Sequence, residues 1–272
     1  DKMSLVSTVW LENNINKVKL IDCSWHMPNV KRNAYEEYLK EHIPGAIFFD
    51  LDKYSATNTD LPHMLPSLNN WEKIVSNLGI TNNDKIIIYD NSDVLSACRC
   101  WYNFIYFGHD PQLISVLDGG LKKWKAENKE VDNNISKINK SNYVGKEDKK
   151  LVKNINQINS NIKLNEFFLI DARSKERFDG IVPDPRKNVR SGSIPNSLCL
   201  PFKEIINEDN SFKKKDEISK IFNQIVDLKH SNIVFSCGSG VTACVLALAY
   251  SLVNNTYSPT IYDGSWAEYG KI

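Results

Sequence analysis

The sequence predicts two tandem α/β domains, each a mostly parallel sheet flanked by helices. Three observations predict it: a long-period internal repeat, alternation of short apolar runs with helical patterns, and one glycine-containing loop between a strand and a helix.

The repeat sets the organisation. Ile21-Asp22-Cys23-Ser24 is echoed by Ile170-Asp171-Ala172-Arg173, and His42-Ile43-Pro44-Gly45-Ala46 by Ser193-Ile194-Pro195-Asn196-Ser197. Ile86-Ile87-Ile88-Tyr89-Asp90 is echoed by Ile233-Val234-Phe235-Ser236-Cys237. Leu117-Asp118-Gly119-Gly120 with Trp124 is echoed by Tyr262-Asp263-Gly264-Ser265 with Trp266. The order is kept, and the offsets of the four segments stay between 145 and 151 residues, with the tryptophans 142 apart. Ordered echoes at one spacing indicate a duplicated domain, and 272 residues with 42% hydrophobic content suffice for two cores. The expected domains are residues 1–136 and 151–272, joined by a linker at 137–150. The polar, Asn- and Lys-rich stretch from 127 to 165 contains that linker. Its run Lys146-Glu147-Asp148-Lys149-Lys150 reads as a solvated face, and 151–159 as a helix or strand opening the second half.

The elements follow from pattern. The β-branched runs 86–89 and 233–236 read as buried strands. Residues 70–78 and 96–107 read as helices in the first half, and 216–226 and 241–252 in the second. Pro44 and Pro195 each follow an isoleucine and hold it in an extended turn. Alternating elements of this length imply parallel sheets covered on both faces. In such sheets ligands bind beyond the carboxyl ends of the strands.

Cys237-Gly238-Ser239-Gly240-Val241-Thr242-Ala243-Cys244 falls at such an end. Its glycines tolerate positive φ, so the backbone N–H groups can turn inward toward the sulfur. The following helix adds the positive end of its dipole. Both effects favour an anionic, nucleophilic sulfur. The plain alternative is a small buried cysteine in a turn.

Composition excludes several classes. A formal net charge of +1 gives no general case for nucleic acid or an anionic membrane, and no apolar stretch reaches membrane-span length. The six cysteines show no disulfide framework and no Cys-x-x-Cys pair, and the five histidines are scattered. Free thiols, a reducing compartment, no metal and no cofactor are expected. Asp1-Lys2-Met3-Ser4-Leu5 lacks the sections of a secretory signal, so the expected location is cytoplasmic, with a removed organellar segment as the alternative.

With these residues assembled, the chain resembles the two-domain sulfurtransferases of the rhodanese superfamily, and most of all their 3-mercaptopyruvate branch. The resemblance covers nearly the whole chain. It is carried by Lys31-Arg32-Asn33-Ala34, His42 to Ala46, His63-Met64-Leu65-Pro66, Leu117 to Gly120, Asp184-Pro185-Arg186, Cys237 to Cys244, and Tyr262 to Trp266. Thiosulfate-using members tend to carry Arg and Lys after the cysteine; Gly238-Ser239 here is the mercaptopyruvate pattern. The resemblance implies Cys237 as nucleophile and Gly238, Gly240, Val241 and Thr242 as its amide cradle. It also implies Arg177 and Arg186 as substrate-binding residues, with Asp52, His63 and Ser239 as a proton-relay set. One turn departs: Gly192-Ser193-Ile194-Pro195-Asn196 stands where the family has Gly-His-Ile-Pro-Gly, which puts its local geometry in question. The first half carries Asp90-Asn91-Ser92-Asp93 in place of a catalytic loop, so that domain is expected to be inactive.

The implied reaction moves sulfane sulfur from a small-molecule donor through a Cys237 persulfide to a thiol acceptor; thioredoxin, a small thiol and cyanide all fit. Planar guanidiniums suit a donor with a carboxylate and a ketone. Plain readings stand beside these roles. His63 can be a packed loop residue, Asp52 a cap, and Ser239 merely small. Arg173 and Arg190 are expected on the solvated surface. Cys244 is expected in the core, and Tyr262 and Trp266 under the loop. A thiosulfate:cyanide sulfurtransferase is the alternative enzyme, and a persulfide carrier or docking module the non-enzymatic one. A cysteine phosphatase needs an arginine six residues after its cysteine; Ala243 stands there.

Overall fold

The computed structural model describes residues 3–226 and 232–272. These form two compact units. The first comprises the chain up to Ala56, Pro66–Asp148 and Glu208–Phe212. The second comprises Thr57–Leu65, Lys149–Asn207 and Lys213–Ile272.

The first unit is a five-stranded parallel sheet of β1 (Leu5–Val6), β2 (Lys19–Asp22), β3 (Ile47–Phe48), β4 (Ile86–Tyr89) and β5 (Ile114–Leu117), in the order β1-β5-β4-β2-β3. Its helices are α1 (Thr8–Asn14), α2 (Ala34–Lys40), α3 (Leu68–Asn77), α4 (Ala97–Tyr106) and α5 (Gly120–Ala126). Every residue of β4 and β5 is buried, as expected of strands covered on both faces. Side chains of Ser7, Asn33 and Ser67 accept the backbone N–H of Trp10, Glu36 and Asn70, so α1, α2 and α3 start on ordinary N-caps. Residues 141–148 lie along α3 and α4. Ser141 N and Tyr143 N donate to Ser76, Gly145 N to Glu72, Lys146 N to Phe107 O and Asp148 N to Tyr106 O.

The second unit repeats the plan with β6 (Val152–Lys153), β7 (Phe168–Asp171), β8 (Leu198–Cys199), β9 (Ile233–Ser236) and β10 (Ile261–Tyr262), in the order β6-β10-β9-β7-β8 and all parallel. Its helices are α6 (Ile155–Leu164), α7 (Lys175–Phe178), α8 (Lys215–Asn223), α9 (Ala243–Val253) and α10 (Ser265–Tyr269). Residues 151–159 supply both of the alternatives the sequence left open: strand β6, then α6, which Asn154 and Gln157 close with a reciprocal capping box. Helix α9 is buried from Ala243 through Tyr250, the pattern of a core helix apolar all round. It begins two residues later than its apolar run suggests. Gly240 has φ +83°, which belongs to the loop and not to a helix.

The departing turn keeps its geometry. Asn196 takes φ +64° where Gly45 takes +87° in the first unit, and its side chain donates to Ile162 O at 3.1 Å. Asparagine is the residue besides glycine that most readily adopts this conformation.

Candidate active site

Strand β9 delivers Cys237 at its carboxyl end, and the loop to α9 folds around the sulfur. Gly240 N–H donates to Cys237 Sγ at 3.0 Å. The loop is pinned from outside by the start of α10. Trp266 N–H donates to Cys237 O and Ala267 N–H to Gly238 O, both at 2.9 Å. Ser265 Oγ accepts from Cys237 N at 3.1 Å and donates to Tyr262 O at 2.8 Å. The loop therefore has little freedom to reorganise, which is what an electrostatic cradle requires. Cys244 lies in the core, its thiol directed to Gly240 O at 3.4 Å. Tyr262 and Trp266 are buried beneath the loop.

Cys237 is only 2% exposed, more covered than an open strand end implies. Two side chains of the same unit lie over its neighbours. His63 Nδ1 is hydrogen-bonded to Ser239 Oγ at 3.0 Å, with both residues buried. The Arg186 guanidinium lies against Gly238. A Cβ built there would stand 2.9 Å from Nη2 and 3.0 Å from Nη1, so the glycine lets the guanidinium approach without shifting.

Arg177, on α7, and Arg186 converge on one carboxylate. Arg177 Nη2 meets Asp184 Oδ2 at 3.1 Å, and Arg186 Nη1 meets Oδ1 at 3.4 Å. Asp184 also accepts Arg186 N–H at 2.9 Å. Its side chain is 1% exposed, whereas the two arginines keep 21% and 24%. Asp184 thus works from below as a common anchor. Arg177 Nε is buried and has no hydrogen-bond partner among the described residues.

Asp52 is placed in the first unit, where both carboxylate oxygens stand 3.1 Å from Trp25 Nε1. His63 and Ser239 are in the second. Val241 and Thr242 complete the loop, Val241 buried and Thr242 partly so. Arg190 is exposed as expected. Arg173 is not. It is 4% exposed, forks onto Asp171 (Nη2 to Oδ2 2.8 Å), donates to Gly192 O at 2.7 Å and stands over the Trp266 ring. The buried Asp171 at the end of β7 needs a cation there, a demand stronger than arginine's preference for solvent.

The equivalent place in the first unit is filled differently. Asp90 follows β4 as Cys237 follows β9, and Leu121 N–H donates to Asp90 O as Trp266 N–H does to Cys237 O. The Asp90 carboxylate accepts Ala97 N at 2.8 Å, at the start of α4, and Ser92 N at 3.1 Å. Burial raises its pKa to about 7 despite these bonds. Asp22, with the Ser24 hydroxyl where Asp171 has an arginine, is pushed by burial to about 6.

A raised carboxyl pKa means the folded state holds its proton more tightly than the unfolded one. The associated stability is complete below about pH 4 and is lost as pH rises toward 7. We expect the unfolding free energy from urea titration to fall between pH 5 and pH 8, by on the order of 3 kcal/mol for Asp90 alone. Asp90→Asn flattens that slope, and an unchanged slope in the variant shows that Asp90 is not its source.

Comparison with known proteins agrees with this geometry. The rhodanese-like domain model matches residues 7–127 and 149–271. The chain belongs to the rhodanese-like family. It is 40% identical to thiosulfate/3-mercaptopyruvate sulfurtransferase 1, mitochondrial, of Arabidopsis thaliana, over 97% of this chain and 75% of that protein. It is 35% identical to 3-mercaptopyruvate sulfurtransferase of Rattus norvegicus, over 98% and 91%. Among solved structures, SseA of Escherichia coli, described as a 3-mercaptopyruvate sulfotransferase, superimposes with a TM-score of 0.87 at 31% identity, covering 98% of this chain and all of that one. The duplicated rhodanese-like domain thus accounts for both units. No helix among the described residues is long and apolar enough to cross a membrane, and none of their His, Cys, Asp and Glu side chains group as a metal site.

Proposed function

We propose that the protein is a sulfurtransferase that takes the sulfur of 3-mercaptopyruvate onto Cys237, releases pyruvate, and passes the sulfur to a thiol. The observation that carries this reading is the placement of Arg186 against Gly238, with Arg177 on the same Asp184 anchor. Two guanidiniums beside a cysteine cradle suit a donor whose sulfur is two carbons from a carboxylate and one from a ketone.

The Cys237 thiolate attacks the donor sulfur, forming an S–S bond. The carbon–sulfur bond breaks, and its electron pair leaves on carbon as the pyruvate enolate. Arg177 and Arg186 hold the carboxylate and the enolate oxygen, and the unpartnered Arg177 Nε is a further donor for them. The enolate takes a proton, for which the Ser239–His63 pair is the source assigned here. The Gly240 amide favours Cys237 Sγ as the thiolate that leaves from beneath the outer persulfide sulfur. An acceptor thiolate then attacks that outer sulfur and returns Cys237 as thiolate. Asp90 in the corresponding loop leaves the first unit without a nucleophile there. A thioredoxin-type dithiol, a small thiol and cyanide serve as acceptors. The six free cysteines support a reducing compartment, with a cytoplasmic location as part of the proposal.

Thiosulfate is the second donor to consider, because a relative's name includes it. Arg186→Lys separates the two. It should raise KM for 3-mercaptopyruvate by about tenfold, one paired hydrogen bond's worth, and for thiosulfate by much less. Equal effects, or a wild-type kcat/KM that favours thiosulfate, defeat the mercaptopyruvate assignment. Sulfur uptake without pyruvate release would mark a carrier instead.

A further inference from the structure

Residues 57–65 form a strap that belongs to the second unit. It is tied at both ends. Lys271 Nζ meets Asp60 Oδ2 at 2.6 Å, and Leu65 N–H donates to Asp263 Oδ2 at 2.8 Å. Between the ties stands His63, with φ +61° and its ring on Ser239. A left-handed backbone on a non-glycine residue is strained, so neighbouring contacts must hold it. The Lys271–Asp60 tie is solvent-exposed and contributes little. Asp263 is buried, two residues from the Ser265 that pins Cys237, and so grips the strap from the same turn that fixes the loop.

The first unit contains the same device without the chemistry. Residues 208–212 belong to it, Lys122 Nζ meets Glu208 O, and Phe212 N–H donates to Asp118 Oδ1 at 2.8 Å. Asp118 and Asp263 occupy the same place in the two Asp-Gly motifs. Two residues before each clipped amide the backbone is left-handed, at Asn210 (φ +69°) and at His63. Asparagine is the easy occupant of such a position. Histidine there serves something beyond backbone comfort.

We propose that Asp263 is a positioning residue for sulfur transfer: by holding Leu65 N–H it sets the His63 ring against Ser239 on the Cys237 loop. This rests on the reading of His63 and Ser239 as the proton-handling pair.

The test measures kcat and KM for 3-mercaptopyruvate, with a small thiol as acceptor, in purified folded variants. Asp263→Ala should lose about tenfold or more in kcat with KM nearly unchanged, as expected of a misplaced group. His63→Asn, which copies Asn210 and keeps the backbone conformation, should lose at least as much. The double variant should lose no more than His63→Asn alone, since both act through one ring. Asp118→Ala, which cuts the twin clip, should keep kcat within about twofold because its strap carries no histidine. Asp263→Ser repeats the comparison with part of the buried space filled and the acceptor too short to reach Leu65. Wild-type kcat in Asp263→Ala and Asp263→Ser beside an impaired His63→Asn overturns the positioning role alone. Wild-type kcat in His63→Asn removes the proton-handling reading, and the proposal with it. Additive losses in the double variant, or an equal loss in Asp118→Ala, also overturn the proposal.

Discussion

Incubated with 3-mercaptopyruvate, the wild-type protein should gain the mass of one sulfur, reversibly by a thiol, and Cys237→Ser should gain none. Turnover in Cys237→Ser should fall to the uncatalysed level, because its hydroxyl is a far weaker nucleophile and forms no persulfide. The fold should survive. Ser236 precedes the site in a fully buried strand, and the loop is held through main-chain atoms, Cys237 N and O and Gly238 O, which the substitution leaves in place. Intact-mass spectrometry with a pyruvate assay checks this. Sulfur uptake that persists in Cys237→Ser, on Cys199 or any other thiol, refutes the assignment.

Asp184→Ala should be the next most damaging change, although Asp184 itself does no chemistry. Its carboxylate is nearly fully covered and bridges Arg177 and Arg186. Removal leaves two guanidiniums with no common anchor. Losing the placement of one such charge-stabilising donor typically costs about 10²–10³-fold in rate, so kcat/KM should drop at least that far. Removing one partner of a covered ion pair also costs about 3–5 kcal/mol of stability at the fully buried limit, and less here because both arginines touch water. Asp184→Asn should recover part of the loss, because its carbonyl oxygen can still accept the Arg186 amide at the position of Oδ1. Steady-state kinetics with 3-mercaptopyruvate, together with thermal melts, measure both effects. Near-wild-type kcat/KM in a folded Asp184→Ala would show that the arginines need no anchor.

The loop around Cys237 was legible because its signals are local. A β-branched run, a cysteine, two glycines and an apolar run lie within about twenty residues, and glycine's backbone freedom needs no tertiary information to be read. The duplication was legible for the same reason, since it compares the chain with itself. Arg173 was not. Its partner is only two residues away, but the pairing is forced by the burial of Asp171, and burial at the end of a strand is a tertiary fact. A signal existed: Ile170-Asp171-Ala172-Arg173 puts a carboxylate on the end of an apolar strand, where a cation is needed. The first half answers the same problem with Ser24 and a raised pKa. The assignment of residues 57–65 to the second unit was also hidden. Leu65 and Asp263 are separated by 198 positions, and no periodicity links them. The arginines came from family likeness, because charge spacing in 184–186 carries no sign of a shared anchor.

One contact bears on what residue 238 can become. A side chain on residue 238 would meet the head of Arg186 at 2.9–3.0 Å, so the flexible arginine would have to shift to make room. Bulk at 238 pushes the guanidinium aside, and loss of the guanidinium uncovers the Gly238 backbone. Residue 238 and Arg186 are therefore coupled neighbours, and a change at the first is felt first as a displacement of the guanidinium at the second.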